Sequence, residues 1–272
     1  MSVFQLNGKD IFYDVVGTGK PIVFLNGIMM STASWNSFVS TMSENNMFIR
    51  VDFFDQGQSA RMTESYTQEI QVEVVHQLLL HLGLDKAAIM GVSYGGEVAL
   101  KFAIKYPNEV DRLILFNTAA VTSNWLRDIG HAWNRVGATL DGEAYYDVAI
   151  PVIYSPSYYA RMAEWMANRR KVLVPLFSTK EFQDRMKRLV DSAENHDCRG
   201  DLDKITAPTL VVSSQYDFLV PLLEQEYLVK HIKNAQHVII PDSGHASMYE
   251  QPLLFTALTL GFANAKDAEY VI

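Results

Sequence analysis

The sequence predicts an α/β fold: an open, doubly wound, mostly parallel sheet of eight strands, with a helical cap inserted after the sixth strand. Three observations predict it. Runs such as IVFL, LILF and TLVV are continuously apolar, which is typical of strands covered by helices on both faces. Amphipathic helical patterns separate these runs. Between Val121 and about Lys204 the pattern is helical, without a convincing core strand.

The spacing of apolar residues in short runs predicts the individual helices and strands. Helices with apolar residues at three and four spacing are predicted over Gln68 to Leu82, Gly95 to Lys105 and about Ser247 to Ala263. At 272 residues the chain can form one large core, so we predict a core of residues 1–120 and 205–272 and a cap of residues 121–204. The predicted strands are Val3 to Leu6, Ile11 to Val16, Pro21 to Asn26, Met47 to Asp52, Ala87 to Gly91, Leu113 to Asn117, Thr209 to Ser213 and Val238 to Pro241.

Composition and charge exclude several classes of protein. The net charge of −8 argues against non-specific nucleic-acid binding, which depends on neutralising phosphates with Lys and Arg. No apolar run reaches the roughly 18 residues of a membrane span, and Met1 to Asp10 lacks the pattern of a secretory signal. A single cysteine, Cys198, cannot form an internal disulfide. We therefore expect a cytoplasmic protein.

The strongest chemical signal is the segment Gly91–Gly96, GVSYGG, between a predicted strand and a predicted helix. A strand that reverses into a helix within a few residues needs glycines on both sides of the turning serine, because side chains there would meet neighbouring backbone. The turn exposes the serine hydroxyl beside the N-terminus of the following helix, where developing negative charge is stabilised. Ser93 is therefore the predicted nucleophile.

A serine hydroxyl needs a base to remove its proton, and the base needs an acid to orient it. Asp217 follows the predicted strand TLVVS, and His245 lies in a Gly-flanked loop after a later strand. Two alternatives for the acid are Asp242 and a residue after the sixth strand, but that strand ends on Asn117. We predict Asp217 as the acid and His245 as the base.

The order of serine, aspartate and histidine, each after a strand, resembles the α/β-hydrolase superfamily over essentially the whole chain. The resemblance implies that two backbone N–H groups, those of Ile28 and Tyr94, form the oxyanion hole. Many such hydrolases carry His where this chain has Asn26, within the loop FLNGIMM. That departure affects the support of the loop rather than the three catalytic side chains.

A second loop, Val51–Ser59 (VDFFDQGQS), matches the superfamily pattern D-x-x-G-x-G-x-S except that Asp55 replaces the first glycine. Together with NGIMMSTASW it is similar to the acyltransferases that join two 3-hydroxyacyl chains in rhamnolipid precursor synthesis. This resemblance implies an acyl acceptor other than water.

The expected substrate is a small molecule with an acyl group, held where the cap covers the ends of the strands. The substrate-binding candidates are Asn26, Met29, Met30 and Trp35. No His and acid cluster has metal-ligand spacing, so we expect neither a metal nor a cofactor. The oligomeric state does not follow from the sequence.

Three functions are consistent with this pattern. The first is a serine hydrolase that cleaves a small or medium carboxylic ester, thioester or lactone. The second is an acyltransferase that takes a 3-hydroxyacyl group from an acyl carrier protein or a CoA thioester. The basic runs Arg169-Arg170-Lys171 and Arg185 to Arg188 would attract such an acidic carrier. The third is a ligand receptor that retained the triad.

Overall fold

The computed structural model describes residues 2–266, which contain one eight-stranded sheet in the order β1-β2-β4-β3-β5-β6-β7-β8. Each strand lies on a run that the sequence predicts as a strand, although β2, β6 and β8 begin earlier than predicted. Residue 1 and residues 267–272 of the predicted core lie outside the described residues. The strand bounds are β1 Ser2–Leu6, β2 Lys9–Val16, β3 Lys20–Leu25, β4 Asn46–Val51, β5 Ala87–Val92, β6 Val110–Phe116, β7 Thr209–Ser214 and β8 Ala235–Ile240.

The sheet is parallel from β4 to β8 in spatial order and antiparallel at one edge, where β2 pairs with β1 and with β4. Parallel neighbours require crossover connections, and helices supply most of them. The carboxyl ends of the parallel strands consequently meet at one edge of the sheet, where ligands enter open α/β folds. The predicted fold class is confirmed.

Helices α1 to α11 connect and cover the strands. The predicted helices agree closely with α2 and α3, whereas the predicted last helix is interrupted at Gln251 and forms α10 and α11. No helix within residues 2–266 combines the length and the apolar character needed to cross a bilayer. The helix bounds are α1 Val39–Met42, α2 Glu69–Leu82, α3 Tyr94–Lys105, α4 Asn124–Gly137, α5 Gly142–Ala149, α6 Pro156–Arg161, α7 Ala163–Phe177, α8 Lys180–Ala193, α9 Leu222–His231, α10 Ser247–Glu250 and α11 Pro252–Ala263.

The segment between β6 and β7 is helical and contains α4 to α8. Several of these helices begin at a side chain that accepts a hydrogen bond from the first turn, which satisfies backbone N–H groups that have no partner inside the helix. These N-terminal capping residues are Ser123, Asp141, Ser155 and Thr179.

Side chains alternate across the sheet and separate its apolar residues into two layers. On β3, Ile22 and Phe24 belong to one buried cluster, whereas Val23 and Leu25 belong to the other. The inserted helices pack into the same apolar layer as one face of the sheet. Their buried residues in the cluster that contains Phe24 include Trp133, Tyr145, Tyr154 and Phe177.

Candidate active site

Ser93 lies in a sharp turn between β5 and α3, with φ 54° and ψ −119°. This is an unfavourable conformation for a residue with a side chain, so the surroundings must hold it in place. A Cβ atom at Gly91 would lie 2.3 Å from the Gly95 carbonyl oxygen, and one at Gly95 would lie 2.3 Å from the Leu25 carbonyl oxygen. The two glycines thus allow the close backbone approach that the sequence pattern predicts.

Hydrogen bonds hold the backbone of this turn. The Ser93 N–H donates to the carbonyl of Phe116 at 2.9 Å. The Ser93 carbonyl accepts from the Gly96 N–H at 2.8 Å and from the Thr118 hydroxyl at 2.8 Å. Since Phe116 and Thr118 flank the end of β6, the neighbouring strand fixes the direction in which Ser93 presents its hydroxyl.

Asp217 and His245 are hydrogen-bonded to each other. The two carboxylate oxygens of Asp217 lie 2.9 and 3.0 Å from Nδ1 of His245. The carboxylate is fully buried, and it also accepts from the N–H groups of Leu219 at 3.0 Å and Val220 at 2.8 Å. These donors hold the carboxylate in a fixed position beside the imidazole. A proton on Nδ1 then leaves Nε2 of the imidazole free to act as a base.

Asn117 supports this pair, a role that the sequence did not predict. Its Nδ2 donates to Asp217 at 2.9 Å, and its Oδ1 accepts from the Ser247 hydroxyl at 3.0 Å. The residue is fully buried with φ 51°, a conformation that Asn tolerates better than most residues. The sequence offers one indication of this role, which is that Asn117 follows β6. Because β7 lies beside β6 and precedes Asp217, the two residues come together at the same edge of the sheet.

The other candidate acid, Asp242, lies elsewhere. Its carboxylate accepts from the Ser157 hydroxyl and from Arg161 at 3.2 Å, and these contacts lower its pKa below the ordinary value. Asp217 is therefore the hydrogen-bond partner of His245, whereas Asp242 contacts α6.

Two clefts meet at Ser93. The first, the His245 cleft, contains about 740 Å³ of empty space, part of it open to solvent, and is lined by Ser93, His245, Met29, Met30 and Arg169, among others. Within residues 2–266 the Ser93 hydroxyl makes no hydrogen bond to His245, although both side chains line this cleft. Catalytic hydrogen bonds are often long without substrate and tighten when substrate binds.

The second cleft, the α4 cleft, also includes Ser93 and contains about 600 Å³ of empty space, part of it open to solvent. Its walls are mainly apolar and include Leu126, Ile129 and Val190. Ionisable side chains also line it, among them Arg127, His131, Asp191 and Glu194. Glu97 is another, and burial raises its pKa to about 8, so its carboxyl group is largely protonated at neutral pH. Ser93 and Ile28 are among the residues that line both clefts.

The loop after β3 presents Ile28 to both clefts. In the part of the chain that the structure describes, neither the Ile28 N–H nor the Tyr94 N–H donates to a protein acceptor. Gln56 supports the loop: its Nε2 donates to the Gly27 carbonyl at 3.0 Å, and its Oε1 accepts from Asn26 at 3.1 Å. Both N–H groups therefore remain available to a ligand beside Ser93.

The four candidate substrate-binding residues divide into two pairs. Met29 and Met30 line the His245 cleft. Asn26 and Trp35 are fully buried outside it, and Trp35 Nε1 donates to Asn26 Oδ1 at 2.7 Å. In this structure these two residues therefore support the loop and do not line the cleft.

Most of the basic residues that were expected to attract a carrier have acidic partners within the chain. Arg188 forms two hydrogen bonds to the buried carboxylate of Asp55, at 2.6 and 3.0 Å, and Arg185 Nε donates to the Asp55 carbonyl at 2.7 Å. Arg170 pairs with two acidic side chains of α5. These ion pairs weaken the charge argument for a carrier surface, which stays a prediction.

The chain resembles known proteins along nearly its whole length. A sequence profile of the family described as alpha/beta hydrolase fold matches residues 20–252. The crystal structure of MGS-M2, an alpha/beta hydrolase enzyme from a Medee basin deep-sea metagenome library, is 52% identical, covers 100% of both chains and has a TM-score of 0.98. A thermophilic esterase from Thermogutta terrifontis is 25% identical over 94% of each chain, with a TM-score of 0.80. The AB hydrolase superfamily protein YisY of Bacillus subtilis is 24% identical and covers 94% of this chain and 96% of its own length.

Proposed function

Because the chain belongs to the family of α/β hydrolases, we propose that it cleaves a small or medium carboxylic ester, thioester or lactone through an acyl-enzyme on Ser93. The observation that carries the proposal is the arrangement of Ser93 and the Asp217–His245 pair around one cleft. The similarity to the esterase from Thermogutta terrifontis supports an ester as the substrate.

In the proposed reaction, Nε2 of His245 takes the proton of the Ser93 hydroxyl while the hydroxyl oxygen attacks the carbonyl carbon. The carbonyl oxygen becomes an anion beside the N–H groups of Ile28 and Tyr94, and each such donor typically contributes about 3 kcal/mol. The imidazolium returns the proton to the leaving atom as that bond breaks. A water molecule, deprotonated by His245, then attacks the acyl ester and releases the acid and free Ser93.

Turnover of p-nitrophenyl esters of increasing acyl length tests this proposal. We expect hydrolysis of at least the short or medium esters and covalent labelling of Ser93 by a fluorophosphonate. Ser93→Ala is the control and should lose both signals. Absence of turnover at every chain length, together with absence of labelling, would overturn the proposal.

Acyl transfer is less well supported, because its charge argument depended on basic residues that have internal partners. Product analysis separates the two reactions. Mass spectrometry after incubation with a 3-hydroxyacyl thioester should show free acid; a product that joins two acyl chains would favour transfer. A receptor with a retained triad would instead give a single turnover and a ligand-dependent rise in Tm.

A further inference from the structure

Arg169 on α7 places a positive charge at the wall of the His245 cleft. Its guanidinium carbon lies 5.2 Å from the ring centroid of Trp165, 5.1 Å from that of Tyr249 and 5.7 Å from that of Tyr154. These distances are typical of cation–π contacts, which orient the guanidinium without neutralising its charge.

Arg169 has no acidic partner among residues 2–266, and its buried Nε has no hydrogen-bond acceptor. The next residue, Arg170, is paired with Glu143 and Asp147. Among the described residues that line the His245 cleft, Arg169 alone carries a permanent charge. A partly buried cation without a partner is costly, so this wall is complementary to an anion.

The direction of the cleft indicates which part of a substrate carries that anion. His245 must reach the leaving oxygen in order to protonate it, and His245 lines the cleft that contains Arg169 but not the α4 cleft. The leaving group would therefore extend toward Arg169, and the acyl group would extend into the mainly apolar α4 cleft.

We infer that Arg169 is a specificity residue that binds a carboxylate on the leaving-group side of the substrate. The substrate class is an ester or lactone that also carries a separate, ionised carboxylate on its leaving-group side. One guanidinium matches one carboxylate in a bidentate pair, whereas the phosphates of a CoA carrier would require more cations. This inference rests on the proposed function.

Matched esters test it. We compare kcat/KM for 4-acetoxybenzoate with that for its neutral methyl ester, in the wild type and in Arg169→Gln. Loss of a charge-assisted contact should lower the charged-to-neutral ratio by about 10- to 100-fold. Arg170→Gln is the matched control and should keep the wild-type ratio, and Arg169→Lys should restore part of it.

Two further measurements distinguish a failure of this inference from a failure of the proposed hydrolase function. In Ser93→Ala, calorimetric binding of 4-hydroxybenzoate should weaken when Arg169→Gln is added, whether or not the protein hydrolyses esters. The mono-p-nitrophenyl ester of glutaric acid carries its charge on the acyl side and should respond little to Arg169→Gln. An unchanged ratio and unchanged binding would overturn the inference while leaving hydrolysis of neutral esters intact. A response confined to the acyl-charged ester would overturn the leaving-group assignment.

Discussion

Arg188→Gln should destabilise the protein far more than the removal of a surface ion pair. The side chain of Arg188 is 19% exposed and that of its partner Asp55 is 0% exposed, so the substitution leaves a buried carboxylate without its cation. Removing one partner of a buried pair costs about 3–5 kcal/mol. We expect the lower end, because the hydroxyl of Tyr66 and the N–H of Met62 still donate to Asp55.

This free energy converts to a measurable shift in Tm. Unfolding entropy is about 2.1 cal/mol/K per residue, which for 272 residues gives about 0.57 kcal/mol/K. A loss of about 3 kcal/mol therefore lowers Tm by about 5 °C. Thermal unfolding followed by circular dichroism measures the shift.

Two variants complete the experiment. Arg170→Gln removes a pair whose acidic partners are 59% and 62% exposed, and it should cost less than about 1 kcal/mol. Adding Asp55→Asn to Arg188→Gln removes the stranded charge and should recover part of the loss. If Arg188→Gln shifts Tm no more than Arg170→Gln, the argument from burial is refuted.

Three further predictions concern the turn at Ser93 and the residues around it. Gly95→Ala should cost about 3 kcal/mol or more, since its Cβ would lie 2.3 Å from the Leu25 carbonyl oxygen. Gly200→Ala, with open space around it, is the control, and equal urea midpoints would contradict the packing argument. Glu97 has a folded pKa raised to about 8 from an ordinary 4.5, so the folded state retains a proton that the unfolded state loses. Stability should therefore fall as pH rises between these values, and Glu97→Gln should flatten that dependence in denaturation at several pH values. Asn117→Ala should lower kcat about 10-fold with little change in KM, because it removes a donor to the carboxylate beside His245, the proposed base; a change confined to KM would argue against a positioning role.

Local patterns in the sequence were sufficient for the fold class, the strands and the position of the serine turn. Continuous apolar runs identify strands covered on both faces, and the turn at Ser93 needs its glycines within a few residues. Asp217 and His245 could be selected because each follows a strand whose end reaches the same edge of the sheet.

Contacts between residues far apart in the sequence could not be predicted, because they form only when the chain folds. The bond from Asn117 to Asp217 joins residues 100 positions apart, and the bond from Arg188 to Asp55 joins residues 133 positions apart. Nothing in the local sequence distinguishes Arg169, which lacks an acidic partner among residues 2–266, from its neighbour in the chain, which has two. Charge compensation and burial are properties of atoms brought together in space, so they follow from packing and not from the pattern of neighbouring residues.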